Sequence, residues 1–261
     1  MTNKERIIAV IPAHLNSVRL PGKVMLDIFN IPMIEQVRRR VKLSKHLDDV
    51  FVATNSVSVK KLIEKNNGKV IYTRRKHRNG TSRVSEAIEN VKCSHVIIVQ
   101  GDEPLIDPKS IDYLIKNIKK YPNRKSWNFT AELKNKEELN KNSFVKCALL
   151  RNGKIQYFFR KSPSNAIFEE QKKYIKKVLG VLCFKKEILE NYRKIKKSII
   201  EDQEFIEQMS IIDNSIEIFS LNIIEATPSI NEPKDINVLK KYLKKSKRQL
   251  LLSKKIGLKI N

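Results

Sequence analysis

Short, almost uninterrupted apolar runs recur through the first half of this chain, each followed by a polar loop and then by a stretch whose apolar residues fall three and four apart. Ile7 to Ile11, Val50 to Thr54, Val70 to Thr73 and Val96 to Val99 read as strands. Ile34 to Val41, Val57 to Asn66, Ser82 to Val91 and Ser110 to Lys120, the last opening just after Pro108, read as helices. A strand that is apolar on both faces has to be covered on both faces, and a crossover helix between successive strands supplies the cover. The alternation therefore predicts an α/β fold with a mixed, mostly parallel sheet and helices on both faces. In such sheets ligands bind beyond the carboxyl ends of the strands. The segments after Ile11, Thr54, Thr73 and Val99 are where binding chemistry is expected.

The second half is less regular. Strand-like runs cover Lys146 to Leu150, Lys154 to Phe159, Val178 to Phe184 and Ile216 to Ile224, with a hairpin-type turn at Gly153. Helices are predicted at Lys186 to Ile195, Glu204 to Ile211 and Asp235 to Lys245. No repeat, low-complexity linker or composition break divides the chain. It reads as one domain over residues 1–245, with an inserted dimerisation subregion at about 140–225, and a basic tail over residues 246–261 that forms a surface helix or frays.

At 261 residues the chain can bury a large core, and no apolar run approaches the roughly 18 to 20 residues a membrane-spanning helix needs. The start, Met1-Thr-Asn-Lys-Glu-Arg, leads into an apolar run too short for a signal-peptide core, so a cytoplasmic location is expected. Cys93, Cys147 and Cys183 are an odd number in apolar surroundings and read as small core residues. The net charge of +25 attracts phosphate, but it is lysine spread over the whole chain without the interleaved aromatics of a stacking platform. Nucleic acid is therefore not expected as a partner, whereas anionic small substrates are. Arg38, Arg39 and Arg40 read as the solvated face of the first helix, and Trp127 as a packing residue. A weak contact with an anionic membrane surface stays open for the tail.

Two loops are candidates to carry the chemistry, and the first reads either as a phosphate-binding loop or as a solvated one. Pro12-Ala-His-Leu-Asn-Ser-Val-Arg-Leu-Pro-Gly-Lys23 follows the first strand and combines free backbone N–H groups with the fixed charges of Arg19 and Lys23, which is what a phosphate-binding loop needs. It has neither the Walker A spacing nor Gly-x-Gly-x-x-Gly. The second loop, Val99-Gln-Gly-Asp-Glu-Pro104, places Asp102 at the end of an apolar strand, where a carboxylate either ligates Mg²⁺ on a triphosphate or caps a turn.

Three segments together resemble the sugar-acid cytidylyltransferases, and most closely the CMP-Kdo synthetase (3-deoxy-manno-octulosonate cytidylyltransferase) family: Ile11-Pro-Ala-His-Leu-Asn-Ser-Val-Arg-Leu-Pro-Gly-Lys23, Thr73-Arg-Arg-Lys-His-Arg-Asn-Gly-Thr-Ser-Arg83 and Val99-Gln-Gly-Asp-Glu-Pro104. The resemblance runs from about residue 7 to about residue 243. It implies a Rossmann-like nucleotidyltransferase, usually a homodimer, that uses CTP and Mg²⁺ to make a CMP-sugar for lipopolysaccharide biosynthesis and releases pyrophosphate. By resemblance Arg19, Lys23 and Asp102 are catalytic, and Asp102 and Asn231 hold the metal. Ala13, His14, Ser17, Arg74, His77, Gly80, Thr81, Gln100, Lys146, Arg160, Glu207 and Gln208 bind CTP or the acidic sugar, with the sugar-binding part in the 140–225 subregion.

The departures from the family pattern fall unevenly. His14 stands where the family carries arginine, and Ile230-Asn-Glu-Pro-Lys-Asp235 where it reads Val-Asp-Thr-Pro-Glu-Asp, so Asn231 offers a neutral oxygen and Glu232 or Asp235 has to supply any missing charge. Val178 and Leu182 replace the histidine and tyrosine of a sugar-side His-x-Gly-x-Tyr, and Ser210 replaces an arginine. The nucleotide end is better kept than the sugar end, which points to an acceptor altered from Kdo to a related acid. A nucleotidyltransferase for another acid or a phosphonate, and a degenerate homologue that binds nucleotide without turnover, are the competing readings.

Overall fold

The computed structural model describes residues 5–17 and 19–260; Met1 to Lys4, Val18 and Asn261 lie outside the described residues. Eleven strands form among them: β1 Ile7–Ala13, β2 Asp27–Ile28, β3 Ile31–Pro32, β4 Asp49–Thr54, β5 Lys69–Tyr72, β6 His95–Val99, β7 Ser126–Ala131, β8 Lys146–Leu149, β9 Ile155–Phe159, β10 Ile175–Lys185 and β11 Phe219–Asn222. The helices are α1 Met33–Lys42, α2 Val57–Lys65, α3 Gly80–Ala87, α4 Pro108–Lys120, α5 Lys136–Asn140, α6 Phe168–Tyr174, α7 Lys186–Glu190, α8 Ile199–Glu204, α9 Gln208–Asp213, α10 Pro233–Lys245 and α11 Lys247–Lys255.

The main sheet runs β11-β7-β10-β6-β1-β4-β5, with the β8–β9 hairpin attached through β10. β1 pairs in parallel with β4 and β6, β4 with β5, and β11 with β7, while β10 is antiparallel to both of its neighbours. The expected mixed, mostly parallel sheet is therefore present. Alternate residues of β1 part to opposite faces: Ile7, Ala9 and Ile11 join one core with Val37, Val41, Ile63 and Leu114, whereas Ile8 and Val10 join another with Val84, Ile88 and Leu189. That period of two, buried on both sides, is why the run is apolar without interruption.

Local chemistry fixes the helix starts. Ser56 accepts from the Val59 N–H ahead of α2, Asn79 accepts from the Ser82 N–H ahead of α3, and Asp107 caps α4 with Pro108 at its first position. The α3 cap moves that helix two residues earlier than the apolar periodicity predicts.

Several expectations need correction. The predicted helix over Glu204 to Ile211 is two helices, because Phe205 closes α8 in the left-handed region at φ 53°. The predicted helix over Lys186 to Ile195 is α7 followed by a 3-10 turn at Tyr192–Lys194. Strand β7 was not foreseen, and Trp127 within it is buried as a packing residue. Arg38 and Arg40 are not a solvated face: both are buried. Arg38 forms a two-pronged pair with Glu35, at 2.7 and 2.6 Å, and Arg40 donates to Gln249 Oε1 at 2.6 Å and Ser253 Oγ at 2.8 Å. Those last partners lie on α11, so residues 246–255 are no frayed tail. The segment docks on α1, with Ile256 and Leu258 packed against Ile31, and α10 packs Leu239 and Leu243 on Ile28, Met33, Leu105 and Ile230.

Candidate active site

Because β1 and β6 run side by side in the same direction, with Val10 opposite Ile98, the loops that follow them emerge at one edge of the sheet. The first loop returns on itself: the Gly22 N–H donates to the Leu15 carbonyl at 2.8 Å, and Gly22 sits at φ 69°, a conformation a side chain strains against. That turn starts the short 3-10 segment Lys23–Met25 and aims Lys23 at the β6 loop. Its Nζ lies 2.5 Å from Asp102 Oδ2 and 3.3 Å from the Ile230 carbonyl. Ile230 N–H in turn donates to the Asp102 carbonyl at 3.0 Å, and Arg19 donates to Asn231 Oδ1 at 2.9 Å. Three segments far apart in sequence thus converge on one point, and Arg19, Lys23, Asp102 and Asn231 stand together as the sequence led us to expect. His14 is exposed beside them, its pKa held below the ordinary value by partial burial and by the charges of Arg83 and Lys23.

A cavity of about 320 Å³ opens alongside, walled by Gln100, Asp102, Glu103, the 141–145 segment, Lys177 to Gly180, Leu182, Gln208, the 227–229 segment and the start of α10. Its volume is that of a small-ligand site. Gln100 and Gln208 face it, and Gln208 is steadied by donating to Asn128 Oδ1 at 3.1 Å. Gly80 packs so close that an added Cβ would stand 3.1 Å from Pro12 and 3.2 Å from Gln100. Ala13 ends β1 in the core, and Ser17 is half-buried in the loop.

Other expected site residues do not wall this cavity. Arg74 is exposed, with its backbone N–H on Glu86. His77 is turned inward, its Nε2 2.8 Å from Glu86 Oε2 though off hydrogen-bond geometry, and burial with Arg83 lowers its pKa. Thr81 is buried and donates to Glu207 Oε1 at 2.8 Å. Burial pushes the Glu207 carboxyl up to about 6, and its Oε2 has no partner. Lys146 is buried, donating to the carbonyls of Lys141, at 3.0 Å, and Arg160. Burial and then the Arg160 charge bring Lys146 down to about 8. Arg160 is spent on the Glu204, Asn142 and Phe205 carbonyls. Lys146 and Arg160 thus pin the 141–145 segment and α8 rather than extending charge into the cavity. The charge missing at Asn231 is not restored by its neighbours: Asp235 Oδ2 accepts the backbone N–H groups of Asn231 and Glu232, and Glu232 pairs with Lys234 at 2.7 Å.

The sequence reading passed over Glu103, Asn128, Lys141 and Lys177. Glu103 is buried against Gly180, whose N–H donates to it at 3.2 Å, and burial followed by the Asp102 charge pushes it up to about 8. A lysine at position 177, three residues before Gly180 at the head of an apolar run, was the available signal for this wall.

With this geometry in place, the comparisons with known proteins are specific. The cytidylyltransferase family model matches residues 8–218. The chain is 34% identical over 254 residues to the 3-deoxy-manno-octulosonate cytidylyltransferase of Thermodesulfovibrio yellowstonii, covering 90% of this chain and 97% of that protein. It is 30% identical over 234 residues to the 8-amino-3,8-dideoxy-manno-octulosonate cytidylyltransferase of Shewanella halifaxensis, covering 88% and 95%. A solved CMP:2-keto-3-deoxy-manno-octonic acid synthetase complexed with CTP superposes with a TM-score of 0.83 at 28% identity, covering 96% of this chain and 99% of that one. The chain belongs to the cytidylyltransferase family, alongside the 3-deoxy-manno-octulosonate cytidylyltransferases.

Proposed function

We propose that this protein transfers CMP from CTP to a 3-deoxy-2-keto sugar acid of the Kdo type and releases pyrophosphate. The observation that carries the reading is the convergence of Arg19 on Asn231 and of Lys23 on Asp102, the latter residue of each pair lining one cavity. Two fixed cations suit the phosphates, and the cavity has room for the acceptor beside them. The relatives' names, which cover both a hydroxylated and an 8-amino octulosonate, support this acceptor class.

Mg²⁺ is part of the proposal. Asp102 and Asn231, brought together by the Lys23 and Arg19 contacts, offer one carboxylate and one amide oxygen, a donor set that suits an ion taking its remaining ligands from triphosphate and water, as Mg²⁺ does. When bound it would neutralise phosphate charge and ease the departure of pyrophosphate. The protein's own part is positioning and electrostatics: Arg19 and Lys23 hold the triphosphate, and the cavity wall presents the sugar's anomeric hydroxyl for in-line attack on the α-phosphorus.

Val178 and Leu182 give the acceptor wall an apolar character, so the favoured acid is proposed to differ from Kdo. A cytoplasmic homodimer completes the reading; sedimentation and cell fractionation test it. The deciding assay is pyrophosphate release and CMP-sugar mass with CTP and Mg²⁺ over a panel of sugar acids. Turnover with an octulosonate acid and CTP, above other triphosphates, is the expected result. Absence of turnover with every acid overturns the function, and highest turnover with Kdo overturns the altered acceptor.

A further inference from the structure

One wall of the cavity carries an unusual arrangement of charge. Lys177 on β10 places its Nζ 3.6 Å from the centroid of the Phe144 ring, and Lys141 places its Nζ 4.3 Å from the same centroid. All three residues line the cavity. An aromatic face attracts one ammonium group by a modest amount, about 0.5–2 kcal/mol, and two ammonium groups gathered at one ring repel each other.

The two charges are only partly met within the protein. Lys177 keeps a long ion pair with Glu138 Oε1 at 3.4 Å, beyond the roughly 2.7–2.9 Å of a strong charge-assisted bond, and its other acidic neighbour, Glu103, is held toward its neutral form by burial. Lys141 makes no salt bridge among the described residues. Other charged groups of the cavity are engaged: Asp102 by Lys23, Glu103 by the Gly180 N–H, Lys234 by Glu232, and Asp235 by two backbone N–H groups.

The arrangement is built rather than incidental. The carbonyl of Lys141 accepts from the Phe144 N–H at 3.0 Å and from the Lys146 amine at 3.0 Å, which ties the segment into a turn over a buried strand residue. A turn held by these bonds that collects two cations beside one ring, on the wall of a cavity, suits an anion.

We infer that Lys141 and Lys177, seated on Phe144, form the subsite that takes the carboxylate of the acceptor. The inference rests on the proposed function, and it names what fixes the acid end of the sugar. In a 2-keto acid the carboxylate is bonded to the carbon that carries the attacking hydroxyl. Anchoring it therefore also sets the direction of that hydroxyl. Arg19 and Lys23 remain for the triphosphate, so the two anionic substrates are held by separate pairs of cations.

The test compares the sugar acid with its carboxamide, which keeps the shape and removes the charge, in the wild type, Lys141→Gln, Lys177→Gln and Lys177→Arg. The wild type is expected to favour the acid over the amide by about tenfold or more in kcat/KM. Each glutamine variant raises KM for the acid about tenfold, leaves KM for CTP within about twofold, and narrows the acid-over-amide preference. Lys177→Arg keeps that preference. Unchanged KM for the acid in Lys141→Gln, or an equal loss with acid and amide, overturns the subsite. Lys141 is exposed, so its variant keeps the test decisive if Lys177→Gln does not fold. If the wild type turns over no acceptor, that failure belongs to the proposed function, and calorimetry of acid and amide on the same variants still reads the subsite.

Discussion

Lys23 Nζ and Asp102 Oδ2 lie 2.5 Å apart across 79 residues of sequence, with side chains 13% and 20% exposed. The pair locks the loop after β1 to the loop after β6. It also holds the Asp102 carboxylate and the Lys23 amine in a fixed mutual orientation beside the cavity that Asp102 lines. The Ile230 carbonyl receives the same amine at 3.3 Å, which brings Asn231 to the site.

Asp102→Asn tests this directly. The amide keeps the shape and still accepts from Lys23, but it loses the charge a divalent cation needs. Turnover is expected to fall at least roughly a hundredfold. The far-UV circular dichroism should stay unchanged and the melting temperature should lie near that of the wild type. Near-normal turnover would remove Asp102 from the metal site.

The first half of the fold was legible because Ile7 to Ile11, Val50 to Thr54 and Val96 to Val99 are strands buried on both faces, and such strands have to be apolar throughout. Strand β7 was not, because Ser126, Asn128 and Thr130 are buried polar residues satisfied from far away. Ser126 donates to the Glu217 carbonyl, Asn128 to the carbonyls of Leu179 and Val181, and Thr130 shares a hydrogen bond with Ser220. Arg19, Lys23, Asp102 and Asn231, which the structure brings together, were reached through the family resemblance of the segments that carry them. Lys141 and Lys177 were not, because their shared feature is a common aromatic neighbour, Phe144, which only the fold supplies.

Arg40 shows the same limit and gives a stability test. A run of three arginines reads as solvated, yet Arg40 is fully buried, and burial brings its pKa down to about 10. Arg40→Met keeps the volume and removes the donors to Gln249 and Ser253, leaving buried acceptors unmet at a cost of about 1–3 kcal/mol. Adding Gln249→Met should cost less than additively, since it removes the acceptor that Arg40→Met leaves unmet, although the Ser253 hydroxyl and the Leu105 carbonyl then lack their donors. Denaturant melts of the single and double variants measure the coupling. Additive losses would show that the two side chains do not depend on each other.

Gly180 is required by contact rather than by backbone angle. An added Cβ would lie 2.6 Å from Glu103 Oε1 and 3.2 Å from Gln100 Cβ. Gly180→Ala therefore forces the Glu103 side chain aside, with an expected loss of about 1–3 kcal/mol in stability and a rise in KM for the acceptor. Shortening the neighbour in Gly180→Ala with Glu103→Ala should restore stability without restoring activity. A neutral Gly180→Ala in thermal melts would show that the wall can yield there.

Glu207 provides the pH dependence. Its carboxyl is pushed from 4.5 up to about 6 by burial, and Oε2 is unpartnered. Between those two values the folded protein holds a proton that the unfolded chain has released, so stability falls as pH rises through that window. The penalty is fully present above pH 6 and absent below about 4.5, and it amounts to about 2 kcal/mol. Glu207→Gln cannot titrate. It should flatten the stability profile between pH 4.5 and 6 and raise the melting temperature at pH 7, while the Thr81 hydroxyl still donates to its Oε1. The same substitution is expected to lower turnover, because a buried charge held against its preference beside Thr81 at the start of α3 is the kind of strain that function retains at the expense of stability. Urea denaturation at pH 4.5, 6 and 7 reads the first effect and the pyrophosphate assay the second; a slope identical to wild type across that window would mean that Glu207 is already ionised in the folded protein without penalty.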